Sequence, residues 1–216
     1  MKRIFYPLLL ILVGVLTGCV TPEPYDYTAF REAKPRSILV LPPTNQSPDV
    51  KASYSMLSQI TYPLAESGYY VLPVAVVDET FRQNGLANPE EIHNVPLDKF
   101  HRIFGADAVL YIDVEEYGTS YRVISSDTRV TANAELVDIR TGAKLWSGRA
   151  TASSTEQNSN SGGLIAMLVQ AAIEQIANTI TDKGHEISGI TSARLLTAGM
   201  PNGILHGPRS PYLSQQ

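Results

Sequence analysis

The sequence predicts one α/β domain, a mixed sheet of about five strands packed by helices. Three observations carry that prediction. Ser37-Ile38-Leu39-Val40-Leu41 and, within Asp107 to Glu115, Ala108 to Ile112 are continuous apolar runs of the kind buried on both faces of a sheet; only the end of the second strand turns acidic. Between the first run and Tyr69 to Val74, Val50, Tyr54, Leu57, Ile60 and Leu64 recur at helical spacing, which makes a β-α-β unit with parallel strands and a right-handed crossover. Later, Val130, Ala132, Ala134 and Leu136 alternate with Thr131, Asn133 and Glu135, the pattern of an antiparallel strand with one wet face.

The chain starts differently. Lys2 and Arg3 precede an apolar run from Leu8 to Leu16, too short to span a bilayer as a helix. A basic head, a short apolar stretch and small residues before a cleavage point describe a secretory signal. Leu16-Thr17-Gly18-Cys19 closes it and resembles the lipobox of bacterial lipoproteins, in which the thiol is acylated and the chain is cut before Cys19. The sequence contains no other cysteine, so acylation leaves no thiol for a disulfide, and burial alone must hold the fold.

Removal of residues 1–18 leaves 198 residues and takes away two cations, so fifteen Lys and Arg face 21 acids, a balance of −6. That excludes a nucleic-acid binder and a polybasic lipid-binding surface. Attachment to the membrane would come from the acyl chains on Cys19, each buried CH₂ contributing roughly 0.8 kcal/mol. Val20 follows the cysteine where an aspartate tends to retain Gram-negative lipoproteins in the inner membrane. By that resemblance it favours the outer membrane, facing the periplasm, with surface exposure left open.

Residues 19–35 are expected to form the lipidated N-terminus and a tether, since Pro22, Pro24 and Pro35 favour extended chain. The aromatics Tyr25, Tyr27 and Phe30 are more than a spacer needs, and packing on the domain is the favoured explanation. The domain itself is assigned to residues 36–184. Within it, Pro63 interrupts the first helix and should kink it, and Gly68 stops it. Asp78 caps a short helix ending at Gly85. Asn88-Pro89-Glu90-Glu91 has a cap, a first-position proline and first-turn acids. Leu97, Phe100, Ile103 and Phe104 mark a helix from Pro96 to Gly105.

From Gly118 the pattern turns to antiparallel β, with a short strand from Ser120 to Ser125. Asp138 to Gly142 is a hairpin turn, and Ala143 to Thr151 returns carrying Trp146. After a polar loop, Leu164 to Asp182 is the strongest helical pattern. Leu164, Ile165, Leu168, Ala172, Ile176 and Ile180 form its stripe, widened by Met167 and Val169, a candidate partner surface. Residues 185–216 read as a C-terminal tail, apolar enough at Ile204, Leu205, Tyr212 and Leu213 to dock on the domain.

Signatures of chemistry are sparse. His93, His101, His185 and His206 have no metal-ligand spacing, and no nucleophile elbow, dinucleotide fingerprint or phosphate loop occurs. No cofactor or metal is therefore expected. Asp113, Glu115 and Glu116 form the one acid cluster, at a strand end where α/β folds place ligands. By strand alternation Asp113 and Glu115 share a face while Glu116 points away. Solvated strand-end acids are the favoured explanation, and a hydrolase using them is the weakest of the functional readings.

Two resemblances complete the picture. Leu136-Val137-Asp138 with Thr141-Gly142-Ala143-Lys144-Leu145-Trp146-Ser147-Gly148 is similar to a hairpin of periplasmic assembly lipoproteins, including the curli secretion lipoprotein and the outer-membrane activators of peptidoglycan synthases. The amino-terminal domain of the Tol-system propeller protein has the same kind of fold. The second covers most of the mature chain. Thr61 to Val74, Gly105 to Ile112 and Gly207-Pro208-Arg209-Ser210-Pro211 resemble the bacterial lipoprotein family of unknown function that includes a meningococcal genome-derived surface antigen.

That family implies an α/β domain and a place in an envelope complex beside other lipoproteins or transport components. It supplies no catalytic residues. The expected function is a non-enzymatic, periplasm-facing outer-membrane lipoprotein, a subunit of a trans-envelope assembly or transport complex, with a homo-oligomer left open. The alternative is a lipoprotein regulator of a peptidoglycan synthase.

Overall fold

The structure, a computed structural model, describes residues 24–122, 125–156 and 182–215. Six strands form one sheet: β1 (Ser37–Val40), β2 (Thr44–Asn45), β3 (Tyr70–Val71), β4 (Ala108–Arg122), β5 (Ser125–Asp138) and β6 (Lys144–Ser153). The spatial order is β3-β1-β4-β5-β6, with β2 also paired to β4. Pairings among β1 to β4 are parallel, and β4-β5-β6 is an antiparallel meander.

The β-α-β reading holds, with two corrections. Helix α2 (Ala52–Glu66) runs on through Pro63, and Gly68 at φ +96° turns the chain into β3. The buried stripe is Ala52, Met56, Leu57, Ile60 and Leu64, whereas Val50 lies before the helix and Tyr54 faces water. Strand β3 is only two residues long. Pro73 already caps α3 (Val74–Gln83), which therefore starts well before Asp78.

Helix α4 (Pro89–His93) has the expected cap, Asn88 accepting from the Glu90 N–H. Helix α5 (Leu97–Phe104) ends at Gly105 in the left-handed region.

The two faces of the sheet are covered unequally. Even positions of β1 and β4 (Ile38, Val40, Ala108, Leu110, Ile112) pack under α2 and α6 (Lys183–Leu196) with Val130 to Leu136 of β5 and Trp146. Odd positions (Leu39, Leu41, Val109) pack under α3, α4 and α5, where Phe81 meets Phe100 edge-on at 6.1 Å. These three short helices cover only the parallel half of that face. Among the described residues no helix covers the outer half of β4-β5-β6 on that side, which carries polar side chains such as Asp113, Glu115, Glu116, Thr131 and Asn133.

The C-terminal reading needs a larger correction. Residues 183–196 are a core helix rather than tail: α6 buries Ile187, Ile190, Leu195 and Leu196, and Asp182 caps it by accepting from the Gly184 and His185 N–H groups. The stretch after it does dock. The Trp146 indole donates to the Asn202 carbonyl (3.0 Å), Tyr69 Oη to the Leu205 carbonyl (2.6 Å), and the Gly207 and Arg209 N–H groups to the Ser67 and Gly68 carbonyls (2.8 and 3.1 Å). A Cβ on Gly207 would lie 2.6 Å from the Gly68 carbonyl oxygen, so the backbones meet where no side chain fits.

The aromatics of the expected tether pack on this docked stretch. Helix α1 (Thr28–Ala33) buries Phe30, against which Tyr27 stands edge-on at 6.4 Å. The Tyr25 N–H donates to Asn202 Oδ1 (3.2 Å), and Tyr25 Oη accepts from the Ser147 N–H (3.0 Å). From Tyr25 onward the chain belongs to the body, eleven residues earlier than the sequence suggested.

Gly207→Ala is expected to destabilise the protein by about 1–3 kcal/mol, because its neighbours are backbone atoms that cannot step aside. Urea unfolding measures it; an unchanged midpoint would show that the tail contact is not tight.

Candidate functional site

The acid cluster lies on this outer, polar half of the sheet, and a β-bulge shapes it. The β4–β5 register shifts between Val114 and Glu116, so Glu115 is the extra residue. Below the bulge Ile112 and Val114 face the core; above it Tyr117 does. Glu116 consequently does not point away from its neighbours as alternation predicted. Asn133 Nδ2 donates to Glu115 (2.6 Å) and Thr131 Oγ1 to Glu116 (2.9 Å), from two positions on one face of β5. Asp113 is the register partner of Asn133 and joins them there.

Every one of these carboxylates is engaged. Asp113 accepts from Thr44 Oγ1 (2.7 Å) and from the Gln46 amide. Glu115 also takes two donors of the Arg149 guanidinium, Nε at 3.1 Å and Nη2 at 2.5 Å. The Asn133 hydrogen bond, then Arg149, hold the Glu115 carboxyl below the usual carboxylate range. A carboxylate held ionised this way is a poor proton donor near neutral pH.

Two open hollows flank the cluster. One, about 400 Å³, is lined by His93, Tyr111, Asp113, Asn133, Glu135 and Arg149. The other, about 890 Å³, lies between residues 46–50 and the outer part of β4, with Glu115, Glu116, Asp127 and Arg129 in its wall. His93 forms the floor of the smaller one. Its Nε2 lies 2.9 Å from the Pro42 carbonyl, which can only accept, so that nitrogen carries the proton; the ring stands edge-on to Tyr111 at 5.2 Å. Burial pushes its pKa below the ordinary value, with the Pro42 hydrogen bond opposing.

One polar cluster went unseen in the sequence. His185 of α6 reaches across to α2, with Nδ1 3.0 Å from Ser55 Oγ and Nε2 2.7 Å from Gln59 Nε2. Tyr117 Oη donates to Ser55 Oγ (2.9 Å), and Ser188 Oγ lies 3.1 Å from it. The Gln59 amide nitrogen can only donate, so His185 carries its proton on Nδ1 and gives it to Ser55. That polarity is opposite to the one that would activate a serine nucleophile. Ser55 and Gln59 are one helical turn apart, the only hint the sequence held.

The remaining sites divide. Gly207, Pro208, Arg209, Ser210 and Pro211 form the clasp on Gly68 described above, with Ser210 Oγ 3.0 Å from His206 Nδ1. Leu16, Thr17, Gly18 and Cys19 lie outside the described residues, as does the stripe Leu164, Ile165, Leu168, Ala172, Ile176 and Ile180. Among the described residues, no group of His, Cys, Asp and Glu is arranged to hold a metal ion, and no helix is long and apolar enough to cross a membrane.

Comparison with known proteins now becomes informative. The family model described as "Putative lipoprotein GNA1162-like" matches residues 25–209. The "Putative lipoprotein NMB1124/NMB1162" of Neisseria meningitidis serogroup B is 53% identical over 207 residues, 94% of this chain and 96% of that one. The crystal structure of lipoprotein GNA1162 from Neisseria meningitidis is 54% identical with a TM-score of 0.54, covering 67% of this chain and all of that one. The C-terminal domain of LpoB from Salmonella enterica is 20% identical with a TM-score of 0.39, over 55% of this chain and 84% of that one, too distant to inform the role of this chain.

The lowered His93 pKa has a consequence for stability. Between the ordinary histidine value near 6.5 and the lower folded value, the unfolded chain binds more protons than the folded one. Stability is therefore expected to fall as pH drops below about 6.5, and His93→Asn should flatten that part of the profile. Chemical denaturation from pH 7.5 to 5 checks it; an identical slope in the variant would remove His93 as the cause.

Proposed function

The chain belongs to the GNA1162-like lipoprotein family, and from that premise we propose that it is a non-enzymatic outer-membrane lipoprotein facing the periplasm, a subunit of a trans-envelope assembly or transport complex. Acyl chains on Cys19 anchor it. The observation that carries the reading is the shortness of the link between lipid and body. Tyr25 is already fastened to Asn202 and Ser147, and with five residues between them it is only six residue steps from Cys19. At 3.3–3.6 Å per residue they reach about 20 Å at most.

A body held that close works beside its own membrane. The same limit weighs against a regulator that must cross the cell wall to a synthase. The sheet face supports a binding role over a catalytic one, because Asp113, Glu115 and Glu116 each hold fixed partners. The apolar stripe from Leu164 to Ile180 is the surface we assign to an envelope partner, on the strength of its width in the sequence alone.

Growth with radioactive palmitate, followed by membrane fractionation, tests the anchor. Label is expected in the outer-membrane fraction for the wild type and in neither membrane for Cys19→Ala. An unlabelled, soluble wild type would sink the proposal. Crosslinking in cells, followed by purification, is expected to return an envelope protein, and a lone monomer would contradict the complex.

A further inference from the structure

The docked C-terminal stretch runs across one end of the sheet. It is held to β6 where Trp146 donates to Asn202, and to the chain beside β3 where Gly207 and Arg209 donate to Ser67 and Gly68. Four strand spacings of about 4.8 Å separate β6 from β3, so the stretch spans roughly 19 Å. At its β6 end sits Tyr25, within about 20 Å of the acylated cysteine. The bilayer surface must therefore pass near this end of the sheet.

At the other end, exposed apolar groups collect. Tyr70 is 47%, Tyr212 55% and Leu213 42% exposed, and the Arg209 guanidinium lies over the Tyr70 ring at 5.5 Å. Tyrosines with polar tips, beside an arginine whose stem can lie along apolar surface, suit the headgroup region of a bilayer.

The charge distribution agrees. All 21 Asp and Glu precede residue 187, so the last thirty residues of a strongly acidic chain carry no acidic side chain, only Arg194 and Arg209. An anionic leaflet repels carboxylates, and residues 187–216 contribute no acidic side chain to this surface.

We infer that Tyr70, Arg209, Tyr212 and Leu213 form a second membrane contact, seated among the lipid headgroups of the bilayer that holds Cys19. The acyl chains prevent escape, and this contact sets the orientation of the body. It turns the opposite end of the sheet, with residues 46–50 and the larger hollow, away from the membrane. The inference rests on the lipoprotein reading, because it needs the anchor at Cys19.

Full-length acylated protein carrying Tyr212→Trp, reconstituted into vesicles of phosphatidylethanolamine and phosphatidylglycerol, tests it. Trp146 is 1% exposed and supplies a constant background that the unsubstituted protein measures. The introduced indole is expected to shift to the blue and to lose fluorescence with lipids brominated near the headgroup, less so with lipids brominated near the chain end. Arg209→Glu added to the reporter should reduce that loss.

An indole with water-like emission and no quenching, in protein that floats with the vesicles, would overturn the contact while leaving the anchor intact. It would instead assign the patch to a protein partner or to solvent. The intact mass decides separately whether Cys19 carries lipid, so failure of the anchor and failure of the contact give different results.

Discussion

The backbone contact between Gly68 and Gly207 fixes where both ends of the chain go. Gly68 ends α2 at a φ that favours glycine, and its carbonyl accepts from Arg209 while the neighbouring Ser67 carbonyl accepts from Gly207. A methyl group on either glycine would meet backbone atoms of the other stretch at under 3 Å. Because the contact holds residues 207–210 against the end of α2, residues 198–206 must cross the end of the sheet. There Asn202 meets Trp146 and Tyr25. The first described residues thus pack on the last ones. The N-terminal segment from Tyr25 and the C-terminal stretch become one connected base, and the polar face of β4-β5-β6 stands on it.

That face owes its character to a single extra residue. Without the bulge at Glu115, strand alternation would send Glu116 toward the core, where an ionised carboxylate is costly to bury. With it, Val114 and Tyr117 both face inward, and three acids share the opposite side of the sheet with Thr131, Asn133 and Arg149. His93, kept neutral by burial beneath it, is a packing and hydrogen-bonding residue of the same floor.

Much of the architecture was legible where burial follows a simple period. The run at 37–41, the capped helix at Pro89 and the Asp138 to Gly142 turn appeared as the residues suggested. The strand at 107–115, however, runs on to Arg122, because pairing with β5 continues to Arg122 and Ser125, and no separate strand spans Ser120 to Ser125. Helix α6 was not legible, for a physical reason: its buried positions include Gly184, Ser188, Thr191 and Ser192. The hydroxyls of Ser188 and Thr191 donate to the His185 and Ile187 carbonyls of the same helix and that of Ser192 to Met56 Sδ across the contact, so small polar residues can line a tight helix contact. Hydrophobic periodicity counts them as exposed. The bulge was equally invisible, because an inserted residue leaves composition unchanged. The aromatics of the tether pack on the domain as expected, but they do so from Tyr25 on, so the prolines set a tether longer than the free link.

Amide hydrogen exchange on the acylated protein tests most directly whether the two chain ends share one clasp with the core. If they do, the amides of Gly207, Arg209 and Ser147 exchange with protection comparable to those of β4 and β5, and they open together. Exchange of Gly207 and Arg209 at the rate of free peptide, with the sheet still protected, would contradict the account. The C-terminal stretch would then be a loose tail, and the base it is held to form would not exist.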